Sequence, residues 1–454
     1  MTFRSFLFWL HLVAGLIAGL AIGIMCLTGV ALAYEKELVA WAERDARRVT
    51  APPPGTPRLT LEQLQEKLRA AQPEVRPSGI AVQADPLAAV AFTAGRNETY
   101  YIDPYTGEVR QPASRALADF MHVMTDWHRY LALTGDHRGT GKLINGVCNL
   151  AFLVLAVTGL YLWLPRSWSW RALRPVIWFR QNASAKARDF NWHNAIGFWT
   201  APVLIVLTLT AVPISFRWGG TVISALTGTP ESAGGGPGPG GRGPGGPGGG
   251  PAVLVTPPAP GTPALPLDAL LATAQREAPT WTTISLRLGG APEGRGGPGG
   301  PRGGGGRGGE SVGGAGGPRG VRTASSPATA ARPRPDTAPR AREAGSESST
   351  PATTFLIRTA DSWPRTASTT IALNPFTGEV VRRTGYADLP TAQQVRSWTR
   401  FLHTGEALGW WGQALAGLAC LGGAFLVYTG FALSWRRFFR PRASEAPAGA
   451  VVKA

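Results

Sequence analysis

Residues 6–33 read FLFWLHLVAGLIAGLAIGIMCLTGVALA, 28 positions without an Asp, Glu, Lys or Arg. A helix of about 20 apolar residues spans a bilayer, so this run is long enough to cross one. It is too long for the apolar region of a cleaved secretory signal, about 7–15 residues. It also continues into Tyr34-Glu35-Lys36-Glu37 instead of a small-residue cleavage site. Three more apolar runs lie at 142–164, with Lys142 as its one charge, at 194–216 and at 411–435. Trp9, Trp163, Trp168, Trp170, Trp192, Trp410, Trp411 and Trp435 stand near run ends, where interfacial aromatic belts form. Of 454 residues 16% are charged and 44% hydrophobic, with the apolar ones gathered into the four runs. The sequence describes a membrane protein with polar inserts.

The formal charge of +17 is unevenly placed. Segment 165–192 carries Arg166, Arg171, Arg174, Arg180, Lys186 and Arg188 against Asp189 alone, and 436–454 carries Arg436, Arg437, Arg440, Arg442 and Lys453 against Glu445. Both are short and flank apolar runs, so they report topology, because short basic loops stay in the cytoplasm. The N-terminus with Arg4 is then inside too, and 34–141 and 217–410 are outside, in the periplasm of a Gram-negative cell. A third basic tract, 291–352, has nine Arg against five acids and no interleaved aromatic residues. No nucleic acid is therefore expected as a partner. Cys26, Cys148 and Cys420 all fall within or beside apolar runs and read as packing residues, not a disulfide framework.

The two outer segments are built alike. In the first, a helix is expected from Leu59 to Ala71, with Leu61, Leu64 and Leu68 on one face, followed by strands at 79–84, 88–93 and 98–103. The last runs into the turn Asp103-Pro104-Tyr105-Thr106-Gly107-Glu108-Val109. In the second, Leu267 to Glu277 is the expected helix, and 281–288, 353–358 and 369–373 are strand-like. There the turn is Asn374-Pro375-Phe376-Thr377-Gly378-Glu379-Val380, identical at five of seven positions. Two low-complexity tracts intervene. In 232–251, seventeen of twenty residues are Gly or Pro, and 291–352 is Gly/Pro/Arg and then Ser/Thr/Ala/Pro. Neither can bury enough apolar surface to order itself.

The repetition continues into the spans. His11 is followed by Gly15 and Thr28, and His193 by Gly197 and Thr210, at the same spacings. Trp127-His128 precedes a span ending Thr158-Gly159-Leu160-Tyr161-Leu162-Trp163, and Leu402-His403 precedes one ending Thr429-Gly430-Phe431-Ala432-Leu433-Ser434-Trp435. The chain reads as span, small α+β unit, span, duplicated.

Four of the six histidines thus hold matched positions. His11 and His193 lie near the cytoplasmic face, His128 and His403 near the outer face. Imidazole beside a membrane span usually has a partner and a purpose. Two neutral imidazoles from different helices can hold haem iron axially, and Gly15 and Gly197, one turn along, are expected to let the rings approach the backbone. The other reading makes each histidine an interfacial side chain bonded to lipid or water. His137 sits in a polar loop. His122, six residues before His128, would replace it only if the repeat were offset. Neither Cys nor an acidic cluster accompanies these residues, which argues against zinc.

These features resemble the PepSY-associated transmembrane proteins, also called iron-regulated or PepSY domain-containing membrane proteins, some of which are ferric-siderophore reductases. The resemblance is carried by Trp9-Leu10-His11-Leu12-Val13-Ala14-Gly15-Leu16, Asn191-Trp192-His193-Asn194-Ala195-Ile196-Gly197, Leu402-His403-Thr404-Gly405 and the two Pro-aromatic-Thr-Gly-Glu turns. It covers nearly the whole chain except 217–262 and 291–352. It implies an all-α core of four transmembrane helices (1–36, 142–165, 193–217 and 403–436) and two periplasmic PepSY-like α+β domains. These are 51–115 and 263–390, the second interrupted by the disordered insert 291–352. The basic loop 166–192, the Gly/Pro-rich linker 218–262 and the tail 437–454 complete the division. Many relatives have Arg after the first-span histidine, whereas here Leu12 follows His11, so any role of that Arg is absent or moved.

The resemblance further implies a multi-pass protein of the bacterial inner membrane, termini in the cytoplasm. It would hold two haems b on His11, His193, His128 and His403 and pass electrons outward to ferric iron in a siderophore or another periplasmic acceptor. Loop 165–192 has 28 residues and the tail 19, too few for a nucleotide or flavin domain, so the expected donor is quinol or a separate cytoplasmic reductase. The competing expectation is non-enzymatic, a PepSY protein that binds peptides or regulates a protease. A solute transporter fits less well, because the four runs carry almost no paired charges.

Overall fold

The computed structural model describes residues 2–95, 98–165, 168–180, 184–229, 253–259, 261–288 and 349–439. Much of the expected linker 218–262, most of the insert 291–352 and all but the first residues of the tail 437–454 lie outside them. The helices are α1 (Phe3–Leu32), α2 (Glu35–Ala42), α3 (Arg44–Arg47), α4 (Leu61–Ala71), α5 (Ala116–Tyr130), α6 (Arg138–Trp163), α7 (Trp170–Ile177), α8 (Ala185–Ser215), α9 (Arg217–Leu226), α10 (Leu267–Arg276), α11 (Thr391–His403) and α12 (Trp410–Phe438). The strands are β1 (Pro77–Gln83), β2 (Val90–Ala94), β3 (Glu98–Ile102), β4 (Val109–Arg110), β5 (Leu254–Val255), β6 (Trp281–Arg287), β7 (Thr350–Pro351), β8 (Thr353–Thr359), β9 (Thr369–Leu373) and β10 (Val380–Thr384).

Helices α1, α6, α8 and α12 are long and apolar enough to cross a bilayer, with peak mean hydropathies of 2.3, 2.0, 2.0 and 1.7. They form a ring in which α1 and α8 each pack on both α6 and α12. Small residues set the closeness of the ring. Gly19 faces the Phe431 ring, Gly422 faces Thr200, and Gly423 faces Cys26. Asp189, buried at one end of the bundle, pairs with Arg436 and Arg188 and ties α8 to α12. Most of the expected belt tryptophans are exposed, including Trp168, Trp170, Trp410, Trp411 and Trp435. Trp163 is not. It is buried and stacks on Phe198 at 4.3 Å, because α6 turns that face toward α8.

Outside the bundle, eight strands form one antiparallel sheet in the order β10-β9-β8-β6-β1-β2-β3-β4. The expected two separate sheets are joined by β1 against β6, with Ile80 opposite Leu286 and Val82 opposite Ile284. The shared pairing leaves β1 and β6 central, so each unit hides an edge that would otherwise expose unpaired backbone. Leu64 and Leu68 of α4 and Leu270 of α10 cover one face, over Phe92, Ile102, Phe355, Ile357 and Ile371.

Local chemistry repeats on both sides of that junction. The Asp103 carboxylate accepts from the Tyr105 N–H at 2.8 Å, and the Asn374 side-chain oxygen from the Phe376 N–H at 2.9 Å. Gly107 and Gly378 take the left-handed conformation that closes each turn, at φ of 76° and 74°. The Pro104 carbonyl then accepts from the Leu59 N–H and the Pro375 carbonyl from the Leu265 N–H, both at 2.7 Å. This tether explains why α4 begins at Leu61 and not at the expected Leu59, with Thr60 and Gln63 forming a capping box.

Candidate functional site

The geometry brings the four matched histidines together in two pairs. His11 of α1 and His193 of α8 have ring centres 6.4 Å apart, and His128 of α5 and His403 of α11 have ring centres 6.2 Å apart. A metal–imidazole nitrogen bond is about 2 Å, and a ring centre lies roughly 1.2 Å beyond its nitrogen, so imidazoles on opposite sides of one metal have centres about 6.4 Å apart. Both pairs have that spacing.

Each ring is fixed through Nδ1. His11 Nδ1 meets Thr158 Oγ1, His128 Nδ1 meets Thr28 Oγ1 and His193 Nδ1 meets Thr429 Oγ1, all at 2.9 Å. The three hydroxyls donate their own protons to the carbonyls of Val154, Ile24 and Phe425, one turn back, at 2.7, 2.6 and 2.8 Å. With that proton spent, the hydroxyl oxygen accepts from the Nδ1–H of the imidazole. His403 Nδ1 donates to the Leu207 carbonyl, also at 2.9 Å, which can only accept. All four neutral rings therefore carry the proton on Nδ1 and a lone pair on Nε2, the tautomer of a metal-ligating histidine whose other nitrogen is held by a hydrogen bond. His128 and His403 lie outside the spanning helices. Burial, with the neighbouring His403 adding to it, holds His128 down to about 4, and burial lowers His403, so both are neutral at pH 7.

The glycines beside these rings differ from those expected. A Cβ at Gly15 would meet Leu155, and one at Gly197 would meet Leu426, neither of them an imidazole. The ring contacts belong to Gly29, Gly159 and Gly430, where a Cβ would stand 3.5, 3.1 and 3.8 Å from Cε1 of His128, His11 and His193. Each follows the threonine that holds the same ring, so three Thr-Gly pairs grip three histidines. At the fourth place α8 has Thr210-Ala211, and Thr210 donates to the Val206 and Leu207 carbonyls.

Helices α5 and α11, which carry the second pair, were not expected as separate elements. Each packs on a spanning helix, α5 on α1 and α11 on α8. Glycine permits the turn that follows each, since a Cβ at Gly141 would stand 2.1 Å from the Tyr130 carbonyl and one at Gly412 would stand 2.2 Å from that of Gly405. Asn145 of α6 donates to the His128 carbonyl at 2.9 Å. Its Oδ1 is buried and without a hydrogen bond among the described residues. His122 is exposed on α5 near Glu35, and His137 is exposed at the start of α6; neither joins a pair. Along α1, His11 and the Thr28 that serves the second pair are seventeen residues apart, about 25 Å at about 1.5 Å per residue.

Fold and site together define a four-helix membrane protein in which two close histidine pairs lie toward opposite ends of the bundle. The chain belongs to the family of the PepSY-associated TM region, whose model matches residues 8–437. Among curated proteins none matches it.

Proposed function

We propose that this protein is a b-type haem protein of the bacterial inner membrane that carries electrons from the cytoplasmic side, or from quinol, to a periplasmic acceptor. His11 with His193 would hold one haem and His128 with His403 the other. The observation that carries the reading is the two imidazole pairs with ring centres 6.4 and 6.2 Å apart, close enough for both rings of a pair to bind one metal, with Nδ1 of every ring already engaged. A haem held by two histidines supplies one-electron transfer at its iron. The residues of the chain orient and shield. Threonine hydroxyls and the Leu207 carbonyl fix the ring planes.

The sheet end is read as periplasmic and the end bearing Arg4, Arg171, Arg174 and Arg436 as cytoplasmic, by the distribution of basic residues. The two sites then stand about 25 Å apart across a hydrocarbon core of about 30 Å, one toward each face. The matched turns, tethers and histidine positions support a duplication of span, α+β unit and span. Ferric iron in a siderophore, the acceptor suggested by the resemblance of the sequence motifs, makes the activity a ferric-chelate reductase. The test is a vesicle assay in which the purified protein is reconstituted with reductant trapped inside and a ferric chelate outside. Ferrous iron should appear outside faster than in protein-free vesicles. Equal rates with the protein inserted would remove the reading.

A further inference from the structure

At the basic end of the bundle, α7 lies against α8 as a short amphipathic helix. Arg171 and Arg174 are exposed on one side, and Ala172, Leu173, Val176 and Ile177 are half-buried on the other. Its position is fixed by three specific bonds. Trp199 Nε1 donates to the Ile177 carbonyl at 3.0 Å, Asn191 Nδ2 donates to the Trp178 carbonyl at 3.1 Å, and the Arg180 N–H donates to Asn191 Oδ1 at 2.9 Å. These bonds set Phe179 edge-on to Trp192, with ring centres 6.2 Å apart. Beneath them Phe179, Trp192, Ile196 and Phe425 line a wholly apolar groove of about 330 Å³. It opens to the surroundings, since Phe179, Trp192 and Phe425 are 50%, 37% and 44% exposed.

Basic residues flank the groove in the chain, and one of them lies against it. The Arg188 guanidinium lies over the Trp192 ring at 5.6 Å from its centre, and Arg171, Arg174, Arg180 and Lys186 are exposed nearby in the chain. The single acid of 165–192, Asp189, is buried and already paired with Arg436 and Arg188. An apolar slot flanked by a net excess of positive charge at the end of a membrane helix matches one kind of molecule, a lipid with an apolar tail and an anionic head. We propose that this groove is a binding site for an anionic phospholipid, its acyl chain against Phe179, Trp192, Ile196 and Phe425 and its phosphate among Arg174, Arg180, Lys186 and Arg188. The occupant is a bilayer lipid and not free phosphate, because the apolar groove would contribute nothing to binding an inorganic ion. The assignment is independent of what the histidines hold.

The test measures lipid retained by the purified full chain after exchange into detergent containing equal amounts of phosphatidylglycerol and phosphatidylcholine, quantified by mass spectrometry. The wild type should retain phosphatidylglycerol several-fold over phosphatidylcholine, and added inorganic phosphate should not displace it. The double variant Arg174→Gln/Arg180→Gln should lose the preference. Phe179→Ala removes one wall of the groove, lies outside the spanning helices and leaves every charge in place, so it should lower phosphatidylglycerol retention as well. Equal retention of the two lipids by the wild type would overturn the proposal. Displacement by phosphate, or full retention by Phe179→Ala, would overturn it too, since charge alone would then account for the binding.

Discussion

At the scale of single residues, the histidines are distinguished by what holds Nδ1. Three of them rest on a hydroxyl and one on a backbone carbonyl, so side-chain changes should separate them. Thr158→Val removes the acceptor for His11 and leaves a buried N–H unpaired. Loss of such a supporting bond typically lowers metal affinity by about 10–100-fold. Haem titration of the purified variant should show one weakened site and one unchanged, with Thr158→Ser restoring the wild-type curve. Thr210→Val should leave both sites intact, because His403 donates to the Leu207 carbonyl and not to that hydroxyl. These threonines were in view in the sequence as markers of the repeat, but their partners were not. Thr28 stands seventeen residues after His11 yet holds His128 of another helix, and spacing along one helix carries no information about which ring arrives from the next. The same limit explains Gly15 and Gly197, which share a helix face with their histidines while the glycines touching the rings come from neighbouring helices.

At the scale of elements, the approach of α5 to α6 depends on Gly141, and the tight turn between α11 and α12 depends on Gly412. An added methyl at either would overlap a carbonyl oxygen, and overpacking of this kind costs about 1–3 kcal/mol. Gly141→Ala and Gly412→Ala should each lower the thermal midpoint and loosen the pair formed by His128 and His403, seen as a loss of haem from that site before the other.

The sheet has its own junction. The Asp268 carboxylate of α10 accepts from the Leu61 N–H of α4 at 2.7 Å, and the Glu62 carboxylate of α4 accepts from the Leu267 N–H of α10. Each helix start is thus capped by the acid of the other, which favours the negative charge. Burial and the nearby Glu62 nevertheless raise Asp268 above the ordinary carboxylate range. A raised carboxyl binds its proton more tightly folded than unfolded. Its stabilising effect is full below the ordinary value of about 3.9 and is lost as pH rises through the folded value. Unfolding of the sheet, followed by circular dichroism as pH is raised from about 4, should show stability falling as Asp268 loses its proton. Asp268→Asn keeps an oxygen for the Leu61 N–H and should flatten the slope. The two helices and most strands were legible from leucine spacing and the repeated turn. That they share one sheet was not, because the β1–β6 register joins segments about two hundred residues apart with no local signal for the pairing.

At the scale of the whole molecule, the four spans were plain in the sequence because each is an apolar run with no more than one charged residue, long enough to cross a bilayer. The arrangement of the sites followed from the repeat, which put one histidine near each end of each half. Two consequences separate the ends. On the proposed orientation, with His11 and His193 toward the cytoplasm, His193→Ala should leave a second haem that reductant added outside can fill but trapped reductant cannot. His403→Ala should keep the first haem reducible from inside and abolish iron reduction in the vesicle assay. The most direct measurement is the haem-to-protein ratio of the purified full chain by pyridine haemochrome, taken for the wild type, His193→Ala and His403→Ala together. Two haems b per chain in the wild type and one in each variant are the predicted result. A wild type without haem, or the loss of both haems in either single variant, would contradict the assignment of two independent histidine-held sites.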